Sequence, residues 1–153
     1  MRRTLLVLAV FFLGCAKSEP PAETTPTPEA PAAIALADVA GTWDGTITAA
    51  GSDSVLVVTE MTATGEPTGW VLKVANAKTP TEWTTVAPTS VVASGDSVVM
   101  DAGPFKSVLR AGQDVSTHSV YRLVDGSLIG TMWATYPASG DMIELRSTAT
   151  RRP

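Results

Sequence analysis

From Ile34 onward, turn-forming residues recur at a spacing that leaves room for strands and little else. Gly51, Gly65, Asn76 with Pro80, Gly95, Gly103, Gly112, Gly126 and Gly140 fall roughly every 10 to 15 residues, with no amphipathic helical run of useful length between them. The intervening segments alternate. Trp43, Gly45 and Ile47 share one side of a period-two pattern, and Thr42, Asp44 and Thr46 the other, which is the signature of a strand. The same reading covers Val55 to Ala63, Trp70 to Ala75, Trp83 to Ala93, Val98 to Asp101, Phe105 to Arg110, Ser116 to Val124, Leu128 to Tyr136 and Met142 to Ala149. Each is rich in Val, Thr, Ile or aromatic residues, as pleated, half-buried strands are.

Consecutive strands joined by tight turns make an antiparallel meander. In Val124-Asp125-Gly126-Ser127 the Asp-Gly pair suits a type I′ turn, with both central residues at positive φ. That register sets Leu123 beside Leu128 and Tyr121 beside Gly130 on one face, with Arg122 opposite Ile129 and His118 opposite Trp133 on the other. Ser94-Gly95-Asp96-Ser97 offers a second hairpin that pairs Val92 with Val99. The expected fold class is therefore all-β, an up-and-down meander of about 8 to 9 strands. Closing it into a small barrel hides both edge strands. A β-sandwich is the alternative, and alternation alone does not separate the two, because both bury one face and wet the other.

The beginning of the chain reads as an address. Arg2 and Arg3 form a positive n-region, Leu5 to Leu13 an unbroken apolar run, and Gly14 a small residue before Cys15. The run is shorter than the roughly 20 residues a permanent transmembrane helix needs, so residues 1–14 are expected to be cleaved as a signal peptide. Phe12-Leu13-Gly14-Cys15 resembles the lipobox of bacterial lipoproteins, in which signal peptidase II cuts before a diacylated cysteine; Phe12 stands where that motif usually has Leu. The resemblance implies lipidation of Cys15, the single cysteine of the chain, and durable membrane anchoring through its acyl chains. Ala16 and Lys17 follow in place of the Asp that commonly retains such proteins at the inner membrane. The resemblance thus implies outer-membrane sorting facing the periplasm, or the outer leaflet in a host with one membrane.

Residues 15–33 are expected to form a tether. Pro, Glu, Thr, Ser and Ala dominate from Ala16 to about Ala33, a composition that buries too little to offset the entropy of ordering. Pro20, Pro21, Pro26, Pro28 and Pro31 stiffen it toward polyproline geometry at about 3.1 Å per residue, a reach of up to roughly 50 Å. Residues 34–153 then make one β domain. The net charge of −4 becomes more acidic once Arg2 and Arg3 leave, and Glu19, Glu23 and Glu29 remain. That balance excludes nucleic acid, whose phosphates demand a basic stripe.

Leu36-Ala37-Asp38-Val39-Ala40-Gly41-Thr42-Trp43 is similar to the start of the first strand in lipocalins and other calycins, whose Gly-x-Trp lays an indole across the barrel floor. The resemblance implies structural roles at the barrel end for Gly41 and Trp43, with an Arg of the last strand packed on the indole. Arg146 is the first match for that Arg and Arg151 the second; the warrant is a cation–π contact that shields the barrel end. The family's later Thr-Asp-Tyr loop motif is not evident.

Catalytic chemistry finds little support. His118 is the only histidine, which removes any two-His metal site, and no Gly-x-Ser-x-Gly elbow or Gly-rich phosphate loop occurs. Most Asp residues sit in or beside turns, where local backbone hydrogen bonds favour them. No catalytic residue, metal or cofactor is expected, and the domain reads as non-enzymatic. Four tryptophans remain. Core packing is the simpler role for Trp43 and Trp70, whereas Trp83 and Trp133 suit an exposed or mouth position. The residues expected at a ligand site are Trp70, Trp83, Tyr121, Met132 and Trp133.

Two functions fit. The first is binding of a small apolar or amphipathic ligand inside the barrel. An interior completely filled by Val57, Leu72, Val74, Tyr121 and Met132 would sink it, since an 8-strand barrel has room for side chains or one small ligand, not both. The second is a protein-interaction or structural module of the cell envelope, with a filled core and an exposed aromatic patch around Trp83 or Trp133.

Overall fold

A computed structural model of the chain describes residues 32–153. The expected signal peptide, Cys15 and nearly all of the expected tether lie outside the described residues. A short 3-10 helix, Leu36–Val39, leads into nine strands: β1 Gly41–Ala49, β2 Val55–Ala63, β3 Val71–Asn76, β4 Thr84–Val86, β5 Pro88–Ser94, β6 Ser97–Lys106, β7 Asp114–Val124, β8 Ser127–Tyr136 and β9 Asp141–Arg151. All belong to one antiparallel sheet of order β4-β3-β2-β1-β9-β8-β7-β6-β5.

The two ends of that order are consecutive in the chain. Only Ala87 separates β4, which pairs with β3, from β5, which pairs with β6. The pair is one strand broken in the middle, where Pro88 has no N–H to give to a ladder. With β1 paired to β9 from Trp43↔Arg151 to Ala49↔Leu145, the sheet is a nearly closed barrel with eight staves, nine strands less one for the broken pair. The all-β meander is thus as expected, and the barrel prevails over the sandwich.

Both anticipated hairpins form. Asp125 and Gly126 have φ of 49° and 78°, as a type I′ turn requires, and the pairs Leu123↔Leu128, Tyr121↔Gly130, Arg122↔Ile129 and His118↔Trp133 follow. Val92 pairs with Val99. Elsewhere the expected boundaries shift. The run from Trp83 to Ala93 is split at Ala87, and the two runs from Val98 to Asp101 and Phe105 to Arg110 become the single strand β6, which ends at Lys106. Gly103 therefore marks not a turn but a register irregularity between Ala102 and Phe105, the usual meaning of Gly and Pro inside a strand.

Alternate residues of every stave point inward and make one core, including Trp43 and Ile47 of β1, Val57 and Met61 of β2, Met100 of β6, Tyr121 of β7, Met132 and Tyr136 of β8 and Leu145 of β9. Gly130 leaves room for its cross-strand partner: a Cβ there would stand 2.7 Å from the Tyr121 ring, so the phenol fills the space the glycine vacates. At the N-terminal side the Ile34 N–H donates to Gly95 O at 2.8 Å. Among the described residues no helix is long and apolar enough to cross a membrane.

Candidate functional site

The barrel has two differently built ends. At the floor, where β1 begins and β9 finishes, Trp43 is 0% exposed and its Nε1 donates to Val39 O of the 3-10 helix at 2.9 Å. The Arg151 guanidinium lies 4.6 Å from the centre of that indole and donates through Nη2 to Asp38 O at 2.6 Å and through Nη1 to Ala40 O. Gly41 sits at φ 134°, with Arg151 Nη1 only 3.3 Å from where a Cβ would be, so both the backbone and the crossing side chain call for glycine.

Arg146 is not the residue that packs on Trp43. It pairs across the sheet with Thr48 and Thr131 and is exposed on the outer face. Parity decides the matter: Leu145, Ser147 and Ala149 of β9 are buried, so in a period-two strand the inward series continues to residue 151 and never reaches 146.

At the opposite end, the mouth, the segment 107–113 between β6 and β7 folds across the opening. The Lys106–Asp114 ion pair, 2.8 Å, closes its stem. Ser107 Oγ accepts the N–H groups of Leu109 and Arg110 at 3.2 and 3.0 Å and lies 3.2 Å from the Tyr136 hydroxyl. Asn76 Nδ2 donates to Val108 O at 2.9 Å. Arg110 covers the Tyr136 ring at 4.0 Å and pairs with Asp141 at 2.6 Å; that hydrogen bond, with one from Ser139, holds the Asp141 carboxyl below its usual range. Val108 and Leu109 pack, partly buried, on the core.

Under this lid lies a cavity of about 40 Å³. Apolar side chains from around the barrel line it, among them Ile47, Val74, Phe105, Met132 and Leu145, together with Val108 and Leu109 of the lid. Thr117 adds a hydroxyl; the residue is 8% exposed, and its Oγ1 is buried with no hydrogen-bond partner. It begins a line of inward polar groups on β7, Thr117, Ser119 and Tyr121, with Ser147 of β9 also inside. Burial pushes the Tyr121 pKa up, against the smaller opposing influence of the Ser147 and Ser119 hydroxyls, so the phenol stays neutral. No charged side chain is buried among the described residues.

The expected ligand residues do not converge. Met132 lines the cavity. Tyr121 is buried in the barrel outside the cavity lining. Trp70 is a buried anchor, its Nε1 donating to Glu66 O at 2.6 Å. Trp133 lies on the outer face, its ring 5.8 Å from that of His118, and His118 Nδ1 is 2.7 Å from Asp101. Trp83 is 45% exposed and borders a surface groove with Asn76, Val108 and Leu109 on the outer side of the lid. Sequence reasoning missed Thr117 and the lid. The first was within reach, because Thr117 has the parity of Tyr121 and Leu123, whose face the hairpin register had fixed.

Val57, Leu72, Val74, Tyr121 and Met132 are all buried in the core, so the barrel is no open cup. The cavity beneath the lid, about 40 Å³, is well below the roughly 300 to 1,000 Å³ of a ligand pocket. Occupancy thus requires the lid side chains to move out. No protein-family model, curated protein or solved structure matches this chain.

Proposed function

We propose that the chain is an exported, Cys15-lipidated envelope protein, tethered to the outer membrane on its periplasmic side, whose calycin-like barrel binds a small apolar or amphipathic molecule without catalysing a reaction. One observation carries the binding reading: the mouth is plugged by Val108 and Leu109, apolar side chains of a connecting segment that sit where a ligand would, over an apolar cavity. The floor supports the calycin reading through the Gly41-x-Trp43 start and the last-strand Arg151 on its indole. The anchoring part rests on the residue pattern at positions 2–17.

The test is native mass spectrometry of the chain isolated from a bacterial envelope. Extra mass that leaves on denaturation supports the reading and gives the ligand class. Bare protein that also ignores an apolar fluorescent probe sinks it. That result favours the interaction module instead, for which the specific observation is the exposed Trp83 beside the lid groove. Partner capture that depends on Trp83 is then expected.

A further inference from the structure

The wall of the cavity under the lid is apolar except at Ser107, Thr117 and Tyr136, and one of these has a hydroxyl with nothing to bond to. Ser107 Oγ and the Tyr136 hydroxyl, the other side-chain hydroxyls in its wall, face each other at 3.2 Å. Thr117 Oγ1 is left alone, buried and unpartnered. Leaving such a group unsatisfied is costly. A water held there needs two to four polar partners, and apart from the Ser107 and Tyr136 hydroxyls that face each other the rest of the wall is apolar. A molecule that brings one hydrogen-bonding group on an apolar body meets both demands at once.

The charge of that group follows from the surroundings. With no charged residue buried among the described residues, an ionised carboxylate or ammonium would shed its hydration with no counter-charge, a penalty of several kcal/mol. The nearest basic group of the lid, Arg110, is already engaged by Asp141 and the Tyr136 ring. The width follows from the fold. An eight-stave barrel is just filled by its own side chains, so the added space is the inward part of Val108 and Leu109, which are only partly buried, at most about seven carbons' worth. That suits a single chain and excludes a fused-ring body.

Resting on the binding reading above, we propose that the site takes an uncharged single-chain amphiphile of the alcohol class. Its head hydrogen-bonds to Thr117 Oγ1. Its chain lies along Val74, Met132 and Leu145 in the space the lid residues give up.

The experiment titrates 1-hexanol, hexanoate and hexane into the full chain purified from a bacterial membrane, following methyl NMR signals of the lining residues against measured free probe. The expected result is that hexanol binds more tightly than hexanoate at neutral pH. Thr117→Val should weaken hexanol about fivefold, one hydrogen bond's worth, and leave hexane unchanged, while Thr117→Ser, which keeps the hydroxyl, should bind as the parent does. Equal binding of hexanoate, or undiminished binding by Thr117→Val, overturns the head-group assignment and leaves the binding reading standing. If none of the three probes moves any lining methyl, the binding reading itself fails, and this proposal with it.

Discussion

The floor and the mouth of this barrel are built from the same staves and closed by opposite means. At the floor a fully buried indole, one helical turn and an arginine crossing the last strand lock together, and the polar groups of Trp43 and Arg151 are spent on backbone carbonyls. At the mouth a loop leans on the core through two partly buried aliphatic side chains, above a cavity and an unpartnered hydroxyl. The first arrangement maximises contact and leaves nothing unsatisfied. The second gives up contact, which lowers local stability. Stability should therefore concentrate at the floor and adaptability at the mouth.

The largest expected effect tests the floor. Trp43→Ala removes a completely buried indole and should cost about 3 to 5 kcal/mol of unfolding free energy, read by urea denaturation; a loss below 1 kcal/mol would mean the floor is not the anchor. Next comes the choice between two arginines. Arg151→Ala, which gives up the indole contact and two charge-assisted hydrogen bonds, should cost about 1 to 2 kcal/mol, and Arg146→Ala, on the outer face, no more than about 0.5. A reversed order would undo the assignment of the floor.

At the mouth, Leu109→Ala should cost about 1 kcal/mol, less than a core leucine because the side chain is only partly buried. It should also bind 1-hexanol faster than the parent does. Slower or unchanged association would show that the segment is not a lid.

The smallest effect is electrostatic and belongs to the wall between the ends. Hydrogen bonds from Lys73 and Arg152 lower the Glu60 pKa from 4.5 to about 2. Because the folded value is depressed, the stabilisation is complete above the unfolded value and is lost as pH falls from there through about 2. Glu60→Gln should therefore lower the melting temperature slightly at pH 7, and the gap to the parent should close near pH 2. A gap that widens on acidification would contradict the network. The pairs are partly solvent-exposed, so added salt should narrow the gap too.

Much of this was legible before the structure. The Asp125-Gly126 turn fixed the register of β7 on β8, and with it the inward series to which Thr117 and Ser119 belong. What could not be read was how alternation resolves in space. Barrel and sandwich share it, and the choice lay in the break at Ala87, where one apparent strand serves two neighbours. Arg146 lies within the run that the alternation marks from Met142 to Ala149; the strand extends to Arg151, and parity picks the other arginine. The run from Phe105 to Arg110 resembled a strand because Val108 and Leu109 are apolar. Composition does not say whether such residues belong to a wall or to a plug laid over it.

The broken stave at Ala87 reaches beyond the site. An open sheet of this order would show two raw edges, each able to template pairing with another copy. Here both edges belong to neighbouring residues of one segment, so neither can peel toward a second molecule without dragging the other from its place. Connectivity is therefore itself a safeguard against edge-to-edge association. A single cut of the backbone at Ala87 would remove it while leaving every strand-to-strand ladder intact.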